Sequence, residues 1–126
     1  MIKLRSLLIE NHEQIVEKVK NFLVYEFDRI SWHDFIDKQE MGDCQLIVSD
    51  IIRNFPEFKK VFGEIQTDEP YIDTNNEEQN LMVHHWVKLN NVSYDFSKGT
   101  LKNYIKFNNL YDVNIEDENR YHIIKI

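Results

Sequence analysis

The stretch 81–97 reads LMVHHWVKLNNVSYDFS, and it decides the fold. Two runs rich in β-branched and aromatic residues flank the pair Asn90-Asn91. Asparagine tolerates the positive φ angles that tight hairpin turns require. The pattern therefore predicts an antiparallel hairpin with strands over 81–89 and 92–97.

A two-residue turn fixes which side chains share a face of this hairpin. It places His84 and Trp86 on the same face as Asp95, with the His84 side chain diagonal to the Asp95 carboxylate. His85 falls on the opposite face, in an apolar set that we expect to pack on the core: Val83, Val87, Leu89, Val92, Tyr94 and Phe96. His84 is therefore predicted to pair with Asp95. A turn with an odd number of residues would exchange the roles of the two histidines.

Two helices are predicted at the start of the chain. Apolar residues recur at helical spacing over 11–29, and Asn11 with Gln14 fits a capping box. Ser31 is a start signal for a short helix near 32–38.

A third helix is predicted to begin at Asp43, as its N-cap, and to end before Pro56. Gly42 lets the backbone turn sharply into this helix. Cys44 then lies in the first turn, where unpaired N–H groups and the helix dipole favour the thiolate. The alternative is an ordinary buried cysteine, which behaves as a small hydrophobic residue.

The remaining segments complete an α+β pattern. Residues 58–66 indicate a turn or short helix followed by a strand, and the polar, acidic stretch 67–80 is predicted to be a loop. A short helix at 101–106 and a closing strand at 120–126 follow. We expect one domain over residues 1–126, with N-terminal helices packed on a small antiparallel sheet.

Composition narrows the class of protein. The 126-residue chain contains one cysteine and 42% hydrophobic residues, and its formal net charge is −7. That charge disfavours nucleic-acid binding. Basic residues interrupt the N-terminal apolar stretch, which argues against a signal peptide, and no apolar run suits a membrane. We therefore predict a cytoplasmic protein that uses no cofactor. No metal site is predicted, because the histidines lack the spacing of metal ligands.

Three short motifs carry a resemblance to a known family. Residues 42–44 read GDC, residues 84–87 read HHWV, and residues 94–97 read YDFS. The last two match the patterns His-x-Trp-Val and hydrophobic-Asp-x-Ser/Thr. In order and spacing, these motifs resemble the transglutaminase-like branch of the papain-like cysteine enzymes. The resemblance covers about residues 42–97 and implies a papain-like core.

The resemblance also implies catalytic roles. Cys44 would be the nucleophile, His84 the general base and then acid, and Asp95 the group that orients the imidazole. Gln39, shortly upstream of the cysteine, is a candidate oxyanion donor, the alternative being a surface glutamine. Trp86 is a candidate wall of the cleft, the alternative being simple packing.

The implied chemistry is acyl transfer through a thioester on a protein or peptide substrate. Water as acceptor gives peptidase or glutamine-deamidase activity, whereas an amine gives transglutamination, and the sequence does not choose between them. The competing interpretation is a non-catalytic interaction module on the same scaffold, in which Cys44 is buried and inert.

Overall fold

The computed structural model describes the backbone of residues 4–126 and the side chains of residues 11–126. It contains three helices followed by a four-stranded antiparallel sheet of order β3-β2-β1-β4. The elements are α1 (Leu4–Glu26), α2 (Trp32–Asp37), α3 (Asp43–Asn54), β1 (Phe58–Ile72), β2 (Glu78–Leu89), β3 (Val92–Tyr94) and β4 (Tyr121–Lys125). Two short 3₁₀ helices span Lys98–Leu101 and Glu118–Arg120. The predicted α+β class is confirmed.

Of the start signals predicted for the first two helices, only the one for α2 is confirmed. Ser31 caps α2 as predicted, since its side chain accepts a hydrogen bond from the Asp34 N–H at 3.1 Å. Helix α1 begins before Asn11, so the predicted capping box lies inside the helix and is wrong. The helix ends at Glu26, shortly before Asp28 adopts a positive φ of 53°, which a regular helix does not allow.

Gly42, and not Asp43, is the N-cap of α3. Its φ of 97° lies in the left-handed region that favours glycine. The Asp43 carboxylate faces backwards and accepts a hydrogen bond from the Glu40 N–H at 2.8 Å. Cys44 lies in the first helical turn, as predicted.

The central hairpin has the predicted register. Asn90 takes a positive φ of 54°, and the cross-strand pairs are Val87 with Tyr94, Lys88 with Ser93, and Leu89 with Val92. Strand β3 nevertheless ends at Tyr94, earlier than predicted. The reason is that the Asp95 N–H leaves the ladder and donates to the Val113 carbonyl at 2.8 Å.

The predicted loop over 67–80 is wrong, because most of it is strand. Strands β1 and β2 continue past a register shift between Gln66 and Tyr71 and meet in a tight turn. One oxygen of the Asp73 side chain accepts the N–H groups of Asn75 and Glu77, each at 2.9 Å, and so closes this turn. These local hydrogen bonds stabilise a turn where composition alone indicated an irregular segment.

Three further predictions concern the start of β1, residues 101–106 and the closing strand. Strand β1 starts directly at Phe58, so the predicted turn or helix there is wrong. The helix predicted at 101–106 is instead the 3₁₀ turn that ends at Leu101. The closing strand, predicted at 120–126, is confirmed as β4.

Two apolar clusters lie on the two faces of the sheet. The larger cluster joins the helices to the face of β2 that carries Val87 and Leu89. The smaller cluster covers the opposite face around Trp86. Val83 and Val92 were expected in the core but are 56% and 43% exposed. Within residues 4–126, no helix combines the length and hydrophobicity needed to cross a bilayer.

Candidate functional site

The Cys44 thiol lies where the N-terminus of α3 meets β2. Helix α3 packs on both β1 and β2. The ladder between β2 and β3 extends only from Leu89 to Val87, so the described strands leave this edge of β2 unpaired at His84 and His85. At such an edge, imidazoles from both faces of the strand can approach the same atom. The Cys44 side chain is mostly buried there, with 7% of the residue exposed.

His84 and Asp95 form a fully enclosed pair. Nε2 of His84 lies 2.9 Å from Oδ2 of Asp95, and the two residues are 0% and 1% exposed. The proximity predicted from strand parity is therefore present. The alternative, a solvated His84, is wrong because the smaller apolar cluster covers this face of β2.

Further donors hold the Asp95 carboxylate in its charged form. Oδ1 accepts the Ser97 N–H at 2.9 Å and the Ser97 hydroxyl at 3.0 Å, while Oδ2 also accepts the Tyr121 hydroxyl at 2.7 Å. Burial by itself raises the pKa of Asp95. The charge of His84 and these hydrogen bonds outweigh burial and lower the pKa below its usual value. Asp95 is thus a buried carboxylate prepared to stabilise a positive imidazole.

Burial and the interaction with the partner also oppose each other at His84, where the net effect is a raised pKa. Burial lowers the pKa of the imidazole, but the charge and hydrogen bond of Asp95, together with interactions with the Cys44 thiol, raise it to about 9. The thiol therefore lies close enough to act on His84. An imidazolium in this position favours a neighbouring thiolate.

Two buried polar side-chain atoms make no hydrogen bond within the described residues, and both belong to predicted site residues. They are Nδ1 of His84 and Oε1 of Gln39. Buried polar atoms without partners are rare in native proteins, and each calls for an explanation. Since Nε2 of His84 is held by Asp95, Nδ1 is the nitrogen of this ring that makes no hydrogen bond among the described residues.

Gln39 is buried, with 4% exposed, so the surface alternative is wrong. Its Nε2 donates to the Phe96 carbonyl at 3.0 Å. Gly99 allows this packing, because a Cβ atom there would come within 2.7 Å of the Gln39 Oε1 atom. Gln39 therefore fastens the loop before α3 to the segment that follows Asp95, and one of its amide donors is already used.

Trp86 packs beneath the site and does not wall a cleft around the thiol. It is 1% exposed and belongs to the smaller apolar cluster. Its ring lies nearly parallel to the His84 ring, with centroids 6.1 Å apart, and meets the Tyr121 ring edge-on at 5.1 Å. The alternative of simple packing describes this residue better.

An open groove with a volume of about 490 Å³ runs past the thiol. Cys44 and His85 contribute to its wall. Most of the remaining lining is apolar or aromatic: Met41, Tyr71, Ile72, Met82, Val83 and Tyr104. Met41, Ile72 and Val83 are more than half exposed, so the groove forms an apolar surface beside the sulfur.

His85 is a neighbour of the thiol that strand parity did not predict. Its Nδ1 lies 3.7 Å from the Cys44 Sγ atom, and its ring packs on Phe62 with centroids 5.0 Å apart. Burial and the nearby charges of Lys60 and His84 lower the pKa of His85. The expectation that His85 lies among apolar residues in the core is wrong, because the residue is half-buried at the groove.

Ser97 and Tyr121 were also missed as site residues. Ser97 had a signal, since it ends the YDFS motif, but no role was assigned to it. Tyr121 had none, because a strand pattern does not specify which residue of β4 reaches Asp95 across the molecule. Within the described residues, no cluster of three or more histidine, cysteine or acidic side chains is placed to hold a metal ion.

The sequence matches no protein-family model, and neither a curated protein nor a solved structure is detectably similar to it.

Proposed function

We propose that this protein is a thiol-dependent acyl-transfer enzyme in which Cys44, His84 and Asp95 act together. One observation carries the proposal. Nε2 of His84 is held by a buried carboxylate, Nδ1 of the same ring is buried and makes no hydrogen bond among the described residues, and the Cys44 thiol is one of the groups that raise the pKa of this imidazole. This pattern supports the roles of nucleophile, base and orienting group.

The proposed reaction has two halves, acylation of Cys44 and hydrolysis or aminolysis of the thioester, and His84 moves a proton in each half. The Cys44 sulfur attacks a carbonyl carbon as a thiolate whose proton already lies on Nδ1 of the His84 imidazolium, and a C–S bond forms. The tetrahedral intermediate collapses when the C–N or C–O bond of the substrate breaks and the leaving group takes the proton from Nδ1. Water or an amine then attacks the thioester, gives its proton to Nδ1 of His84 and releases Cys44 as the thiolate, which restores the starting pair.

The shape and lining of the groove favour an acyl substrate with an apolar group next to the reacting carbonyl. Its apolar lining reaches the sulfur, so a bound peptide would place an apolar side chain beside the scissile carbonyl. We therefore propose an amide of a protein or peptide as the substrate. The motifs of residues 42–44, 84–87 and 94–97 add the transglutaminase-like resemblance and its papain-like core to this proposal. Peptidase, glutamine-deamidase and transglutaminase reactions all fit this chemistry.

A direct test is acylation by an activated ester. We expect intact-mass spectrometry after incubation with a nitrophenyl ester of an apolar acyl group to show one acyl adduct, mapped to Cys44. Cys44→Ala should abolish the adduct, and Asp95→Asn should slow its formation by at least about 100-fold through loss of histidine orientation. The exposed His122 provides the control, because His122→Ala should leave the rate unchanged. A wild-type protein that stays unmodified would contradict the proposal.

The second candidate function is a non-catalytic interaction module. It is favoured by the burial of Cys44 and by the net charge of −7, which suits a basic partner. Iodoacetamide separates the two functions. A reactive thiol is alkylated in the native protein below pH 8, whereas an inert thiol reacts only after denaturation.

A further inference from the structure

Two imidazoles flank the Cys44 thiol, and the proposed reaction uses only one of them. His84 is enclosed together with Asp95 on the buried side, and the Cys44 thiol contributes to its raised pKa. His85 approaches from the groove, where a substrate would bind, with Nδ1 at 3.7 Å from the sulfur. An imidazole in contact with the reacting atom and open to the substrate is placed for a step of its own.

We propose that His85 is the side-chain donor that stabilises the oxyanion of the tetrahedral intermediate, and this inference rests on the proposed acyl-transfer function. In that intermediate the sulfur and the oxyanion are bonded to the same carbon. A donor that touches the sulfur from the groove therefore also lies near the oxygen. In its Nδ1–H tautomer, His85 donates a hydrogen bond as negative charge moves from sulfur to oxygen, and no proton is transferred.

The surroundings of His85 suit a neutral donor. Burial lowers the pKa of this imidazole, and the positive charges of Lys60 and His84 lower it further, so the ring stays uncharged at neutral pH. Packing against Phe62 holds the ring in place. A neutral imidazole is an effective electrophile because its N–H stabilises an anion while the ring keeps its proton.

Some of the N–H groups near Cys44 that could bind an oxyanion already donate hydrogen bonds within the protein. The first N–H groups of a helix have no partner within the helix, and the Cys44 N–H belongs to this set. The Asp43 N–H, however, already donates to the Glu40 carbonyl at 3.1 Å. One donor of Gln39, the predicted oxyanion residue, is used by the Phe96 carbonyl. His85 is the groove-lining side chain whose N–H position faces the sulfur.

Two reactions of the same thiol distinguish an oxyanion donor from a residue that merely tunes the sulfur. Acylation by a nitrophenyl ester builds an oxyanion, whereas alkylation by iodoacetamide displaces iodide and builds none. We expect His85→Phe, which keeps an aromatic ring against Phe62, to slow acylation by about 100- to 1,000-fold. Alkylation should change by less than about threefold. His85→Gln, which restores an N–H donor, should recover part of the acylation rate.

Each outcome bears on the proposal. Equal losses in acylation and alkylation would show that His85 acts on the reactivity of the sulfur, and this would overturn the oxyanion role. An unchanged acylation rate in His85→Phe would also overturn it. A wild-type protein that is alkylated but never acylated would remove the proposed function, and this inference with it. If His85→Phe does not fold, His85→Ala allows the same comparison, because the residue is only partly buried.

Discussion

The Tyr121 hydroxyl donates to Oδ2 of Asp95 at 2.7 Å, the same oxygen that accepts from Nε2 of His84. This bond ties β4, the last strand, to a site whose other residues come from the middle of the chain. The Tyr121 hydroxyl is itself buried beside a carboxylate, and burial together with the Asp95 charge raises its pKa well above 10. The Tyr121 hydroxyl therefore remains protonated, and a donor, at neutral pH.

Tyr121→Phe should lower the free energy of unfolding by about 1.5–3 kcal/mol, because it removes a hydrogen bond to a buried charged group. Urea denaturation at pH 7 measures this change. Tyr25 is 84% exposed, so Tyr25→Phe is the matched control and should stay within about 0.5 kcal/mol of wild type. If the two variants were equally stable, the Tyr121 hydroxyl would have no energetic role at Asp95.

Asp95→Asn should move the pKa of His84 from about 9 to below the ordinary value of about 6.5. The substitution removes the charge that raises this pKa and leaves the burial that lowers it. Histidine resonances followed by NMR across pH 5–10 report the change directly. A His84 pKa that stays near 9 in the variant would show that Asp95 is not its cause.

The raised pKa of His84 also predicts a pH dependence of stability. Protonation favours the folded state, so this contribution is complete below about pH 6.5 and is lost as pH rises through about 9. The stability difference between wild type and Asp95→Asn should therefore shrink between these two values. Denaturant unfolding at pH 6 and at pH 9.5 measures the difference, and a constant gap would contradict the assignment.

Local sequence signals predicted the parts of the site that depend on short-range rules. The pair Asn90-Asn91 fixed a two-residue turn, and strand alternation then brought His84 to Asp95. The turn at Gly42 placed Cys44 at the start of a helix. Each of these features depends on φ preferences or on the period of a strand, both of which can be read within a few residues.

The remaining parts depend on contacts between distant segments, for which the sequence has no local rule. Strand β3 ends because the Asp95 N–H bonds to Val113, and that early end opens the edge at which His85 reaches the thiol. Tyr121 reaches Asp95 only after β4 docks on β1. Gln39 is buried by the close approach of Gly99. Long-range pairing decided all three.

Gln39→Met should destabilise the fold by about 1–3 kcal/mol, because it leaves the buried Phe96 carbonyl without its donor. The side chains are similar in length, so little cavity effect is expected. Gln14 is exposed on α1, and Gln14→Met should be nearly neutral. Thermal unfolding of the three proteins is sufficient to compare them. Equal melting temperatures would show that the Gln39–Phe96 bond contributes nothing to stability.

The adjacent histidines should respond in opposite ways to truncation. His84→Ala leaves the Asp95 charge buried without its partner, and losing one member of a buried pair costs about 3–5 kcal/mol. His85→Ala removes a partly buried ring that packs on Phe62, so we expect a loss below about 1 kcal/mol. Urea denaturation of both variants at pH 7 tests the contrast. The reverse order of stabilities would mean that His85, and not His84, is the imidazole enclosed with Asp95.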